Sequence, residues 1–260
     1  MKQIERIKYL IEYLLAERKQ SANIPDDING QKQLFRALVN VRMPQPASKE
    51  FLQIQNEYLQ EVTWQKGVTD LAKLTPIQPD IYLWQGDITT LKCDAVVNAA
   101  NSTLLGCFCP SHGCIDNAIH TFAGVQLRLA CAELMKNQGH DEPPGHAKIT
   151  SAFNLPCRHV IHTVGPIIGG RLTKRDCELL RSCYRSCLTL ADENELGSIA
   201  FCCISTGEFH FPNEKAAEIA IQAVMNYKKE TKSGIKVIFD VWKNEDYEIY
   251  NCLLGADTKA

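Results

Sequence analysis

The spacing of apolar residues changes once along the chain, and that change bounds the fold. Up to about residue 75, apolar positions recur every three or four residues. After Pro76 and Pro79, short apolar runs alternate with longer amphipathic segments. Residues 81–84, 95–97, 148–152, 160–164, 198–203 and 237–241 read as strands. Residues from about 114 to 137, 173–193, 213–229 and 246–253 read as helices. Strands alternating with helices imply an α/β layer fold whose largely parallel sheet is covered on both faces. No internal repeat or low-complexity segment interrupts the pattern.

The first 75 residues divide into three helical stretches. Ile4, Ile7, Leu10, Ile11, Leu14 and Leu15 keep a 3.6-residue period, and Leu34, Leu38 and Val41 continue it. Pro44 and Pro46 end the second stretch. Ser48 caps a third, whose apolar face carries Phe51, Ile54, Tyr58 and Val62. No catalytic constellation stands out here. The organisation expected is a helical extension over 1–75 and an α/β domain over 76–260.

Charge narrows the choice of partner. Lys and Arg number 28 against 30 Asp and Glu, a formal charge of −2, so nothing favours nucleic acid. A small acidic ligand bound by backbone N–H groups remains compatible with that balance. No stretch approaches the roughly 20 apolar residues that span a bilayer. The charged N-terminal segment does not resemble a signal peptide, so a cytoplasmic protein is expected. Most of the 12 cysteines, such as Cys183, Cys187, Cys202 and Cys203, sit in apolar runs as small buried hydrophobes.

In parallel sheets ligands sit in loops at the C-terminal ends of the strands. Four such loops carry polar or small residues. Gln85–Thr89 offers Asp87 as an acceptor for an amine, or as the cap of a short helical turn. In 98–102, Asn98 and Asn101 flank two alanines and suit sugar hydroxyls, or an Asx turn. In 162–166, Gly165 allows close approach. The loop 204–212, reading ISTGEFHFP, opens onto a helix N-terminus and offers its N–H groups to a diphosphate. It lacks the Lys of a nucleotide-triphosphate loop.

A fifth segment concentrates soft ligands. Cys107, Cys109, His112 and Cys114 fall within eight residues, and thiolate with imidazole favours zinc. With Cys109 as a fourth ligand the site would be closed and structural. Without it, an open coordination position remains. His140-Asp141-Glu142 looks like the first motif of a zinc deaminase, but no Pro-Cys-x-x-Cys follows.

The motifs GDIT, VVNAAN, AIHTFAG, IHTVGP and ISTGEFHFP, in this order over roughly residues 80–255, resemble the macrodomain family, which binds ADP-ribose. The segment from Gly106 to Asn117 resembles its zinc-dependent subfamily. That resemblance implies a three-layer α/β/α macrodomain preceded by the helical extension. It assigns Asp87 and the backbone of Ile88 to adenine, and Asn98 and Asn101 to the distal ribose. Ser205, Thr206, Gly207, Glu208 and Phe209 fall to the diphosphate. It implies Cys107, His112 and Cys114 as zinc ligands around an open site, with Asn101 and Asp116 catalytic. His120 lies one helical turn beyond Asp116 and is expected to be structural.

The implied activity is zinc-dependent removal of ADP-ribose from mono-ADP-ribosylated proteins. The resemblance also suggests a lipoylated carrier protein, modified by a sirtuin-type transferase, as substrate. Two alternatives stand beside it: a reader that holds ADP-ribose without cutting it, and a hydrolase of free derivatives such as O-acetyl-ADP-ribose.

Overall fold

The computed structural model describes residues 1–256; residues 257–260, the end of the expected α/β domain, lie outside the described residues. Three helices come first: α1 (Gln3–Glu17), α2 (Ile28–Asn40) and α3 (Lys49–Lys66). Asp27 caps α2 by accepting from the Gly30 amide at 2.8 Å, and Ser48 caps α3 by accepting from Phe51 at 3.1 Å. Their inward faces form a hydrophobic cluster of their own, with Ile7, Leu10, Ile11, Phe35, Leu38, Phe51 and Leu59 buried. Ile4, in the first turn of α1, is 43% exposed and stays outside it.

The remaining elements are β1 (Thr69–Asp70), β2 (Ile81–Gln85), β3 (Leu91–Lys92), β4 (Ala95–Ala100), α4 (Ile115–Ala123), α5 (Val125–Gln138), β5 (Ala147–Ser151) and β6 (His159–Val164), then α6 (Lys174–Glu193), β7 (Ser198–Phe201), α7 (Asn213–Thr231), β8 (Lys236–Val241) and α8 (Asn244–Ala256). Six strands form one sheet in the order β2-β8-β7-β4-β6-β5. Five run parallel, and only the β5–β6 pairing is antiparallel. Helices flank this mixed sheet. α6 packs on α7 and α7 on α8, while α4 and α5 pair and α4 also meets α2 and α3. The core between these layers is rich in buried Val, Ile and Ala, including Val96, Val97, Ile161, Ile199, Ala200 and Ile238. Strands buried on both faces need such continuous apolar runs.

The segment from 114 to 137 is two helices where periodicity suggests one. Gly124 separates them at φ +96°, and a Cβ there would meet the Gln55 amide at 2.6 Å and the Asn154 amide at 3.0 Å. Close packing of α3 against this corner therefore requires glycine and breaks the helix. β1 and β3, which pair in parallel, escape the sequence pattern because two residues carry no period.

The register positions the loops. Ala100, Val164, Phe201, Gln85 and Val241 end neighbouring parallel strands, so all the loops that follow them emerge at one end of the sheet. β4 and β7 are direct neighbours, which sets the loop 101–114 beside the loop 202–212. Among the described residues, no helix is long and apolar enough to cross a membrane.

Candidate functional site

The loop after β4 carries the soft ligands. It is shaped by residues in left-handed backbone: Leu104 at φ +55°, Gly106 at +81° and Ser111 at +55°. A Cβ on Gly106 would strike the His120 ring at 2.8 Å, so glycine is needed twice over. The ligand atoms of Cys107, His112 and Cys114 all lie within 4.8 Å of one another. Cys107 Sγ stands 3.6 Å from His112 Nδ1. Tetrahedral zinc, with bonds of about 2.0–2.3 Å, sets its ligands roughly 3.5–3.8 Å apart; the Cys107–His112 separation matches that spacing, and the chemistry of the three donors suits the ion. Cys109 is exposed and stands outside the cluster. Cys114 also caps α4, its sulfur accepting from the Asn117 amide at 3.4 Å. Burial pushes its thiol up to about 12, with the neighbouring Cys107 adding to the rise.

Asp116 lies in the first turn of α4 and is buried. Burial pushes its carboxyl up to about 6, against the hydrogen bond that Asn98 Nδ2 donates to Oδ1 at 2.8 Å. His120 Nε2 lies 3.5 Å from the same oxygen. Asn98 is fully buried and bears on the site through Asp116, with no atom left at the surface. Asn101 is half-buried and folds its amide into its own loop. Nδ2 donates to Gly106 O at 3.1 Å, and Oδ1 accepts from Thr103 N at 3.1 Å and from Thr103 Oγ1 at 2.6 Å. That is an Asx turn, the alternative that its sequence leaves open.

A second soft-ligand group, His120, Cys131 and His162, is fully buried. His162 has both nitrogens engaged: Nδ1 lies 3.2 Å from Asn98 Nδ2 and Nε2 3.0 Å from Thr150 Oγ1. The first must accept and the second donate, which leaves no lone pair for an ion.

The loop after β7 faces the soft-ligand loop directly, since Glu208 Oε1 comes within 3.5 Å of His112 Nε2. Ser205 sits at φ +66° with its hydroxyl buried and without a partner. Gly165 makes room for that hydroxyl: a Cβ there would lie 2.0 Å from Ser205 Oγ. The glycine of the 162–166 loop thus serves the neighbouring loop. Thr206 Oγ1 donates to Cys203 O at 3.0 Å, and Phe209 O accepts from Ile168 N at 2.9 Å. Among the described residues, the amides of Ser205, Gly207, Glu208 and Phe209 donate to no protein acceptor. Open N–H groups beside the start of α7 make an anion cradle.

At the β2 edge of the sheet, Asp87 caps a short 3-10 turn, Ile88–Thr90. Its Oδ1 accepts from Thr89 N at 3.0 Å, and its Oδ2 pairs with Lys66 Nζ at 2.9 Å. Asp87 is therefore both cap and acceptor, and its cationic neighbour comes from α3.

Residues 97–220 match the family described as Macro domain. A protein-ADP-ribose hydrolase of Treponema medium is 58% identical, over 98% of this chain and 100% of its own. The chain belongs to the macrodomain family. A protein-ADP-ribose hydrolase of Staphylococcus aureus (strain MSSA476) is 48% identical, over 98% of this macrodomain protein and 97% of that relative. The crystal structure of the Trypanosoma brucei macrodomain in complex with ADP-ribose is 31% identical, covers 85% of this chain and 95% of that one, and superposes with a TM-score of 0.65.

Several residues that shape this macrodomain's site belong to no motif. Arg36 and Asn40 of α2 bond the soft-ligand loop, and Lys66 of α3 holds Asp87. The signal was faint: polar residues four apart on a helix otherwise read as packing. The partners of Arg36 and Asn40 lie 71–81 positions away along the chain and that of Lys66 lies 21 away, separations no local pattern reports.

Asp240, paired with Trp84 across β8 and β2, is buried with Oδ1 lacking a partner. Burial pushes its carboxyl well above the usual carboxylate range, and the charge on Asp87 adds to the rise. A folded-state value above the unfolded one means that the folded protein binds the proton more tightly. The contribution favours folding at acid pH and is lost as pH rises from the ordinary range through the raised value. Asp240→Asn removes that loss. Its melting temperature is expected to exceed the wild type's at about pH 8, with the gap narrowing at about pH 4.5. Equal melting temperatures at the higher pH would show that Asp240 is not charged at a cost.

Proposed function

We propose that this macrodomain hydrolase removes ADP-ribose from mono-ADP-ribosylated proteins at a zinc-bearing cleft between the loops after β4 and β7. The observation that carries the zinc is the convergence of Cys107, His112 and Cys114 within 4.8 Å, beside a loop of open amides. Full-length similarity to protein-ADP-ribose hydrolases supports the substrate class.

The chain's residues divide the work by position. The amides of Ser205, Gly207, Glu208 and Phe209 bind the diphosphate, with Thr206 tied back to Cys203 through both its amide and its hydroxyl. Asp87 and the backbone of Ile88 take the adenine, the Asp87 carboxylate being shared with Lys66. Cys107, His112 and Cys114 would hold zinc, which would supply Lewis-acid chemistry at this loop. Asp116, ionised at neutral pH and oriented by Asn98, accepts a proton at its carboxylate. Asn101 fixes the bend that aims the ligand loop, through Thr103 and Gly106. With diphosphate and ribose both held, the scissile bond is fixed relative to that acceptor.

A lipoylated carrier protein modified by a sirtuin-type transferase is the proposed substrate, supported by the likeness of residues 106–117 to the zinc-dependent subfamily. A cytoplasmic location belongs to the same reading, since twelve unpaired thiols suit a reducing compartment.

One assay tests the whole reading. Carrier protein bearing mono-ADP-ribose is incubated with the enzyme, with and without a zinc chelator, and released ADP-ribose is scored. Release that the chelator abolishes and added zinc restores is the expected result. Tight ADP-ribose binding with no release would make the protein a reader. Release from O-acetyl-ADP-ribose but not from protein would move its substrate to free metabolites.

A further inference from the structure

We propose that α2 is a latch on the metal loop: Arg36 and Asn40 hold residues 109–117 in the shape that gathers Cys107, His112 and Cys114. The N-terminal helices would then set how firmly this chain keeps its metal. The metal part of the inference rests on the zinc reading above.

The contacts converge on the backbone between the ligands. Arg36 Nε and Nη2 both donate to Asn117 Oδ1, at 3.1 and 2.8 Å, and Nη2 also donates to the carbonyl of His112 at 2.8 Å. Asn117, turned by that fork, donates its own Nδ2 to Cys109 O at 3.0 Å and its N–H to Cys114 Sγ. One guanidinium thus fixes the main chain at His112 directly and at Cys109 through the Asn117 side chain, while the Asn117 N–H that reaches Cys114 is set by the first turn of α4. A planar fork with several fixed N–H vectors suits this task, and a lysine ammonium does not match it.

Asn40 takes the next residue. Its Oδ1 accepts from Ser111 N at 2.9 Å, and its Nδ2 donates to Thr121 Oγ1 at 2.9 Å. Ser111 carries φ +55°, an unfavourable conformation for a side-chain-bearing residue that persists only where surroundings enforce it. Asn40 is buried, with both ends of its amide engaged.

The latch is itself anchored. Arg36 and Asn40 are four apart on α2 and share one face. Phe35, Leu38 and Val39 bury α2 in the N-terminal cluster, so α2 cannot drift without exposing that cluster. Arg128 of α5 closes the other side. It donates to Val39 O at 3.0 Å, to Arg42 O, and to Leu105 O at 2.7 Å. The end of α2 and the start of the metal loop thereby share one cation. Residues that orient ligands without touching a metal still change its affinity by about 10–100-fold when removed.

The test uses the full-length, zinc-loaded protein and follows zinc transfer to an excess of chromogenic chelator. Arg36→Ala and Asn40→Ala are expected to speed transfer by about 10–100-fold. Arg36→Lys should recover part of the effect, keeping charge but not the fork. Gln60→Ala removes a contact between α3 and Asn154 away from the loop and should leave transfer unchanged. In metal-stripped protein, hydrogen exchange at the Ser111 amide should rise in Asn40→Ala. Transfer within twofold of wild type in folded Arg36→Ala and Asn40→Ala overturns the latch. So does equal acceleration in Gln60→Ala, which would mean general loosening. Should either alanine variant not fold, Arg36→Lys and Asn40→Leu carry the same comparison, since leucine removes the acceptor for Ser111 N at similar volume. Wild-type protein that binds no zinc overturns the zinc reading, and Ser111 exchange then decides the latch by itself.

Discussion

Alanine at Cys107, at His112 or at Cys114 is expected to strip the protein of zinc and of hydrolysis, while alanine at Cys109 spares both. Three protein ligands define a tetrahedral site with one open position, so losing any of them leaves two. A two-ligand site no longer competes with solvent and buffer for the ion. Metal content should fall from about one equivalent to a small fraction of that, by elemental analysis. Activity should fall by roughly two orders of magnitude or more, since Lewis-acid stabilisation is worth several kcal/mol. Cys109 differs by geometry. Its thiol is exposed, and its contribution to the loop is a carbonyl that accepts from His112 N and Asn117 Nδ2. Alanine keeps that carbonyl. Metal loss in Cys109→Ala equal to the other three would mean a closed four-ligand site, and full occupancy in all four would remove zinc from this loop.

Gly207→Val should abolish ADP-ribose binding in a protein that folds normally. The two halves of that outcome have separate causes. A Cβ at Gly207 would meet nothing within 4 Å, and its backbone is not in the left-handed region, so the fold tolerates a side chain there. Gly207 sits among the open amides of the loop, with those of Glu208 and Phe209 directly after it in the chain, so a branched side chain is expected to crowd an anion held there. Blocking two charge-assisted hydrogen bonds, each worth about 1.5–3 kcal/mol, lowers affinity by 100-fold or more. Calorimetry gives the affinity, and circular dichroism gives the fold. Unchanged affinity in a folded variant would move the diphosphate elsewhere. Gly165 makes the opposite case. A Cβ there would collide with Ser205 Oγ at 2.0 Å, so substitution damages the loop before any ligand arrives.

The sheet was legible because buried parallel strands must be apolar throughout, and β4, β6, β7 and β8 announce themselves that way. Their ends were less so: β4 continues through Asn98 to Ala100 because its ladder with β6 runs on past the apolar run. Helix α4 ends at Gly124, a local signal at φ +96°, but the Gln55 and Asn154 side chains that crowd it come from distant segments. The three soft ligands were legible because they fall within eight residues of chain, and one turn-rich loop decides their geometry. The separation of Asn98 from the open loop was not, since its partners, Asp116 and His162, come from a helix and another strand. The work of α2 at the metal loop belongs to the same class: side-chain identity is local, and partnership is not.

The strand order carries a consequence for how the chain comes into being. β2 lies at the sheet edge and, among the described residues, its one strand ladder is with β8, whose first residue comes about 150 positions later. At a ribosomal pace of roughly 5–20 residues per second, β2 would wait on the order of 10–30 s for its partner. Ile81 and Leu83 would stay without their ladder for that interval. α1, α2 and α3 face no such delay, because Ile7, Phe35 and Phe51 meet within the first segment made. Birth order thus favours an early helical nucleus on which α4 can later dock, with the sheet closing last along its β2–β8 seam.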